Sequence, residues 1–464
     1  MKLAYFSPLP PQKSGISDYS EALLPYLSKH YDIHLWVSGF RPDSSIAYIY
    51  KVINYQASQS TIYQLDTYDA ILYNIGNNPE YHSDMYDVFL RYPGFVILHD
   101  YVLFYLITGY FLDTKGDREK YIREFYLNYG YDGISEVKKI LRGEVPPLQY
   151  RNPEKFPLIN SLVQAAKGII VHSESTKRIL LDNGCPSSKI DLVNQINYSN
   201  LNFAFGTDEI SKTKKKFEIR DGTLLLCSFG YIAPTKRNEQ VITVINRIAA
   251  DYDIQYVMVG EGNYIDGLLA SNIKKTGFVS RDIYERLLSA SDIVINLRNP
   301  SMGETSATLL QAMIAGKPCI VTDIGWFSEL PDNAVLKIPA DKVNEQPQLE
   351  KNLRLLIEDP EKRKELGNNA RAYVTKNHDP TIIAEQIFHV LQNGSFQRDL
   401  INSYPDCNLY RIKEIFVDDT DPLFKKYQQK IVALQHEIGL REDISTNIFQ
   451  ALKNFITHGI LREK

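Results

Sequence analysis

Cysteine is scarce in this chain of 464 residues: Cys185, Cys227, Cys319 and Cys407 are the only four, and they lie far apart. Their spacing suits neither a disulfide framework nor a metal site, and it predicts a reducing, cytoplasmic setting. No apolar run approaches the roughly 20 residues a bilayer-spanning helix needs, and Met1 to Pro10 lacks the charged region and apolar core of a signal peptide. Peripheral contact with the inner face of a membrane stays compatible with this. An excess of one charge is missing too. The 52 Lys and Arg against 56 Asp and Glu leave a formal net charge of −4, which gives no electrostatic footprint for nucleic acid. The one strongly basic run, Lys212 to Lys216, reads as a solvated linker.

The length suits two large domains, at about 100 to 200 residues per domain. Short apolar runs alternate with helical segments: Lys2 to Phe6, Ile33 to Val37, Ala70 to Ile75, Val96 to His99 and Ile169 to His172. A second series follows: Leu224 to Phe229, Tyr256 to Val259, Ile293 to Leu297, Cys319 to Thr322 and Val335 to Ile338. Alternation of this kind predicts an α/β fold with parallel, doubly wound, Rossmann-like sheets and active residues at the strands' carboxyl ends. The periodicity lapses between Val193 and Gly222. The predicted boundaries are therefore a first domain over 1–198, a linker over 199–221, a second domain over 222–378, a helix over 379–394 begun by Pro380, and an extension over 395–464. In that extension Leu423 to Ile438 and Ile444 to Phe455 have amphipathic spacing, which suits packing onto the first domain or binding a protein partner. A Tyr-rich helical insertion over about 101–157 interrupts the first alternation. Its tyrosines either stack on sugar faces or lipid headgroups or form the core of a helical subdomain.

The most informative stretch is Arg298 to Pro318. The strand before it ends in Arg298, a loop follows, and Thr305 to Ala315 has the composition of a buried helix stopped by Gly316 and Pro318. Gly303, Glu304, Thr305 and Ser306 thus sit where a strand's carboxyl end meets a helix amino terminus, a place where anions bind. Read alone, the same residues are an ordinary helix cap. Other loops have comparable positions. Gly15 follows the first strand in Ser-Gly-Ile-Ser-Asp, Phe229-Gly230-Tyr-Ile-Ala-Pro-Thr-Lys236-Arg237 puts two cations beside a helix start, and Val259-Gly-Glu-Gly262 is a strand-end turn. Phe278 and Val279 offer an apolar face. His99 and Asp100 stand at a strand end, as does His172, which reads as a histidine satisfied by neighbouring backbone.

The Gly230 to Arg237 loop, Gln311-Ala-Met-Ile-Ala-Gly-Lys-Pro and Asp323, Gly325 and Glu329, in this order, resemble the nucleotide-binding half of the retaining GT-B glycosyltransferases of family 4, the glycosyl transferases group 1. The resemblance extends over most of the chain to about Gln392. It implies a GT-B architecture, two Rossmann-like domains facing a cleft, with the helix near Asp379 to Gln392 crossing back to the first. It implies transfer of a hexose-type sugar from a nucleotide-diphosphate sugar to a glycan, lipid-linked or protein-linked acceptor, with retention, without metal or cofactor, in cell-surface polysaccharide or glycoconjugate synthesis. Carried over residue by residue, Glu304 holds the donor sugar, one position later than the family's first Glu, with His99 and Asp100 on the catalytic side. Gly15, Gly230, Lys236, Arg237, Thr305 and Ser306 grip the diphosphate. Phe278, Val279 and Gln311 meet the nucleoside, Gln311 standing where relatives use Glu, and Tyr231 replaces the family arginine. The alternatives are a non-catalytic relative that binds a nucleotide sugar or serves as a partner subunit, and a nucleotide-sugar epimerase on the same fold.

Overall fold

Strands buried on both faces have no polar side, so their sequences read as continuous apolar runs, and these runs build two parallel sheets. The computed structural model describes residues 1–56, 59–198, 203 and 205–396; Cys407 and the amphipathic stretches after Leu423 lie outside the described residues. The first sheet has β1 Lys2–Phe6, β2 Asp32–Val37, β3 Lys51–Asn54, β4 Ala70–Ile75, β5 Phe95–Leu98, β6 Gly168–Val171 and β7 Ile190–Leu192, in the spatial order 3-2-1-4-5-6-7. The second has β8 Leu224–Phe229, β9 Ile254–Val259, β10 Ile273–Lys275, β11 Ile293–Asn296, β12 Cys319–Asp323 and β13 Leu336–Pro339, in the order 10-9-8-11-12-13. Both are doubly wound, and the order reverses between β1 and β4 and again between β8 and β11. Crevices at such reversals, outside the carboxyl ends of the strands, are where ligands bind in open α/β sheets.

One buried cluster joins the two sheets. Leu23 and Leu27 of helix Gly15–Leu27, Leu309 and Met313 of helix Ala307–Ile314, and Ile383, Ile387 and Leu391 of the terminal helix Pro380–Phe396 all belong to it. That terminal helix lies against the first domain: Phe388 stacks on His30 with ring centroids 4.8 Å apart, and Gln392 Nε2 donates to Tyr31 Oη at 3.0 Å. Each fully buried aliphatic side chain contributes about 1.5 to 3 kcal/mol. Exposed ion pairs such as Arg281 with Glu21, at 3.5 Å, contribute about 0 to 1 kcal/mol. Apolar burial, not surface charge, therefore holds the terminal helix in place.

One segment differs from the sequence reading, and a second takes mainly one of its two alternatives. The stretch 199–221, expected as a linker throughout, contains helix Thr207–Lys216, and the basic run Lys212 to Lys216 is the end of it. Acidic residues in its first turn and lysines in its last complement the helix dipole, which explains the charges without a solvated linker. In the insertion, helix Arg118–Leu141 is broken at Gly130, whose φ of 60° no other residue adopts so readily. Tyr110, Tyr121 and Tyr150 there are buried with Phe104 and Phe125, so most of the insertion's aromatic content is core.

Candidate functional site

The second domain brings a lysine to the reversal between β8 and β11. After β8 the chain turns at Gly230, φ +96°, and a Cβ there would lie 2.6 Å from Lys236 Nζ. The backbones of this loop and the next also touch: a Cβ on Gly260 would lie 2.1 Å from Gly230 O. Glycine at 230 is thus required by conformation, and glycine at 260 by the close approach of the two backbones. Lys236 Nζ donates to Phe229 O at 3.3 Å, and no described carboxylate lies within ion-pair distance of it. Burial, and then the neighbouring Arg298, push its ammonium well below the ordinary lysine range, with Glu304 opposing. Among the described residues the buried amine thus keeps donor capacity that its one carbonyl partner does not use.

Arg237 is not part of this group. Its guanidinium forks onto Glu345, with Nε to Oε1 at 2.8 Å, and holds helix Glu345–Glu358. The cation that does share Lys236's surroundings is Arg298, 9% exposed at the end of β11, to which the sequence reading gave no role. A charged residue closing an apolar strand was the available signal. Adjacency in the chain favoured Arg237, whereas adjacency in space is set by the sheet.

Glu304 closes its own loop. Its Oε1 accepts from Arg298 Nε at 2.6 Å, and its Oε2 accepts from Met302 N at 2.6 Å and from Ser301 Oγ at 3.3 Å. Gly303, φ +84°, makes the turn. The helix begins at Ala307 rather than Thr305, because Ser306 is its cap and accepts from Leu309 N at 3.3 Å. Thr305 Oγ1 reaches Gln195 Oε1 on the chain leaving the first domain, at 2.5 Å. Gln311 is buried and accepts from the Tyr284 hydroxyl, on the helix that follows Phe278 and Val279. Phe278 is 57% exposed, and Lys13 Nζ of the β1 loop stands 4.0 Å above its ring. Val279 packs at the edge of the shared core.

The first domain supplies the facing wall. Asp100 Oδ2 accepts from Asn77 N at 2.8 Å. Burial, followed by the nearby Glu304 carboxylate, pushes the Asp100 carboxyl up to about 7, while Asn77 N–H and Arg298 work in the other direction. Asp100, Glu304, Arg298 and Lys236 are therefore one electrostatic cluster spanning both sheets. His99 Nε2 donates to Asn74 Oδ1 at 3.2 Å, and its ring meets Tyr19 edge-on at 4.8 Å. Burial, then His172 and His82, hold it well below the ordinary histidine range, so it is neutral. His172 Nδ1 donates to Val193 O at 2.7 Å, the backbone partner the sequence suggested. Gly15 opens helix Gly15–Leu27, and a Cβ there would meet no atom within 4 Å. Packing therefore makes no demand for glycine at that position. Among the described residues no three His, Cys, Asp or Glu side chains converge as metal ligands, and no helix is long and apolar enough to cross a membrane.

Backbone bonds join the walls. Tyr101 N and Val102 N both donate to Met302 O, at 2.8 and 3.0 Å, and Thr176 Oγ1 donates to Gly303 O at 3.0 Å. Glu329 accepts from Glu174 N and Ser175 N, at 3.0 and 2.7 Å, and so caps a first-domain helix from the second domain.

Residues 209–373, which contain Lys236, Arg298 and Glu304, match the sequence model of the family described as Glycosyl transferases group 1. The chain is 26% identical over 199 residues to a GDP-mannose-dependent monoacylated alpha-(1-6)-phosphatidylinositol monomannoside mannosyltransferase of Corynebacterium glutamicum, which covers 40% of this chain and 51% of the relative. It is 26% identical over 229 residues to the glycosyltransferase MJ1069 of Methanocaldococcus jannaschii, covering 47% of this chain and 56% of that one. The chain thus spans about half the length of the curated relatives it matches. Among solved structures, Anabaena Alr3699/HepE in complex with UDP-glucose superposes with a TM-score of 0.60 at 16% identity, over 85% of this chain and 100% of that one. That likeness concerns the fold alone.

Proposed function

On the premise that the fold is GT-B and that residues 209–373 are a group 1 glycosyl transferase domain, we propose that the protein moves a hexose-type sugar from a nucleotide-diphosphate sugar to a hydroxyl of a carbohydrate or glycolipid acceptor, with retention of configuration. The observation that carries this reading is the buried Lys236 at the strand reversal, which among the described residues has no carboxylate partner and shares with Asp100 the neighbours Arg298 and Glu304. The diphosphate lies against Gly230, Lys236 and the start of helix Ala307–Ile314, where the lysine and the helix dipole stabilise the charge growing on the leaving group. Arg298 stands behind Glu304 and fixes the direction of its carboxylate. Glu304 then faces a sugar carbon that turns cationic as the diphosphate departs. The nucleoside extends toward Gln311, Tyr284 and the Phe278 to Val279 segment. No metal is assigned a part in this mechanism.

The 26% identity to a mannosyltransferase named for a phosphatidylinositol mannoside supports a role in polysaccharide or glycoconjugate synthesis at the cytoplasmic face of a membrane. A test is to incubate the protein with a panel of nucleotide sugars and candidate acceptors, with and without a chelator, and to read the anomeric configuration of the product by NMR. Inverted product, or activity abolished by the chelator, would refute the mechanism stated here. One observation favours a second reading, in which the protein binds a nucleotide sugar without turning it over: both carboxylate oxygens of Glu304 already accept hydrogen bonds within its own loop. Tight donor binding with no product in any acceptor mixture would select that reading.

A further inference from the structure

Beside the charged cluster lies a cavity of about 580 Å³, walled in part by the insertion whose tyrosines the sequence offered either to sugar faces or to a core. Its walls come from the insertion, through Asn128, Tyr129, Glu154 and Asn160; from helix Glu174–Asp182, through Ser175; and from the Ser301 to Gly303 loop of the second domain. It adjoins the chemistry at three points. Ser301 lines it and lies 3.3 Å from Glu304 Oε2, Gly303 lines it and precedes Glu304, and Tyr101 lines it and follows Asp100. The volume is within the range of about 300 to 1,000 Å³ usual for small-molecule sites.

Its chemistry is that of a site for hydroxyl groups. The Tyr101 hydroxyl accepts from Asn183 Nδ2 at 3.1 Å and the Tyr129 hydroxyl accepts from Leu158 N at 2.8 Å, so both phenols keep a proton to donate. Asn183 Nδ2 donates to Tyr101 and to Ile179 O, which leaves its carbonyl oxygen as an acceptor. Glu154 Oε2 is buried with no hydrogen-bond partner among the described residues, a position that a ligand hydroxyl would satisfy. Lys155 beside it balances the carboxylate, so the lining has no net charge to attract a phosphate or an anionic headgroup. Between these groups the half-buried Pro157, Ile179 and Ile324 offer surface for the C–H face of a pyranose.

We propose that this cavity holds the acceptor, and that the acceptor presents to it a neutral sugar residue rather than a lipid chain or a phosphate; this rests on the transferase reading above. In the transfer, a hydroxyl oxygen of the bound sugar bonds to the donor's anomeric carbon, the bond from that carbon to the diphosphate oxygen breaks, and the hydroxyl proton passes to the departing phosphate oxygen. Both domains line the cavity, so it is complete only while Met302 O accepts from Tyr101 N and Val102 N.

The test is saturation-transfer NMR on the full chain with methyl glycosides of glucose, galactose, mannose and N-acetylglucosamine, and with maltose and cellobiose, in the presence of saturating UDP or GDP. At least one saccharide should bind together with the nucleoside diphosphate. Asn160→Leu, which removes the amide, and Ser175→Phe, which fills the space, should each weaken it by about tenfold or more. Neither side chain makes a hydrogen bond to a described residue, and calorimetric binding of UDP or GDP reports that each variant is folded. No saccharide bound, a saccharide displaced by the nucleoside diphosphate, or binding undiminished in both variants would overturn the proposal. So would vesicles of phosphatidylglycerol binding in place of saccharide and losing that binding in the two variants. Release of nucleoside diphosphate from a nucleotide sugar without saccharide binding would leave the transferase reading intact and remove only the cavity. Failure to bind any nucleoside diphosphate would instead undercut the transferase reading itself.

Discussion

Lys236 supports opposite predictions for stability and for binding. Lys236 is a buried amine, held well below the ordinary lysine range, whose only hydrogen-bond partner among the described residues is the Phe229 carbonyl. Its replacement by Met should therefore raise the Tm of the ligand-free protein, because the desolvation cost of the polar group disappears. The same change should weaken nucleoside diphosphate binding by about 1.5 to 3 kcal/mol, the value of a hydrogen bond to a charged group. A lower Tm with unchanged affinity would show that Lys236 serves only the fold. Glu304 and Arg298 are 16% and 11% exposed, so Glu304→Gln leaves a nearly buried guanidinium without its counter-charge. It should cost up to about 3 to 5 kcal/mol in urea unfolding and should slow sugar transfer severely while most donor binding remains. Asp100 has its carboxyl raised from 3.8 to about 7 in the folded chain. The folded state then holds the proton more tightly than the unfolded one. The stability this contributes is complete below 3.8 and is lost as the pH rises through about 7. Asp100→Asn keeps an acceptor for Asn77 N–H, so the unfolding free energy of the parent relative to this variant should fall across that window. A flat difference would place Asp100 outside the buried cluster.

At the scale of elements, the loop Arg298 to Ser306 is held by its own carboxylate and by the facing domain. A Cβ on Gly303 would lie 2.4 Å from Tyr101 Cβ, and its φ is +84°. Gly303→Ala should thus destabilise by more than about 1 kcal/mol in thermal unfolding. Glu329→Ala, which leaves the Ser173 cap of helix Glu174–Asp182 but removes the acceptors of Glu174 N and Ser175 N across the domain boundary, should cost about 0.5 to 2 kcal/mol. These elements also mark what was legible in the sequence. The central strands were, because burial on both faces leaves a continuous apolar signature, and β1, β4 and β8 have the bounds their apolar runs suggested. Lys51–Asn54, Ile190–Leu192 and Ile273–Lys275 were not. All three are edge strands of three or four residues, and partial exposure gives them no apolar run to read. Helix Thr207–Lys216 escaped for a related reason: Thr213 is its one fully buried residue, so its pattern is nearly all polar. Within the site, Gly230 and Lys236 were legible because they share one short loop. Arg298 was not, since its nearness to Lys236 is made by the sheet.

At the scale of the whole molecule, two sheets of the same winding point their reversals at one crevice, and short inter-domain bonds at Met302, Gly303 and Glu329 bring Asp100 to Glu304. The cluster of charges is therefore a property of the paired domains and belongs to neither alone. Loss of the pairing should remove transfer before it removes nucleotide binding, because Lys236 and Gln311 both belong to the second domain. The central claim is that the diphosphate of a nucleotide sugar sits on Lys236 while its sugar is transferred. The most direct measurement is the rate of nucleoside diphosphate release from a panel of nucleotide sugars by the parent protein and by Lys236→Ala, both shown to be folded. The account predicts release from at least one donor by the parent and a rate lower by about tenfold or more in the variant, as loss of about 1.4 kcal/mol or more of stabilisation requires. No release from any donor, or equal rates in the two proteins, would contradict it.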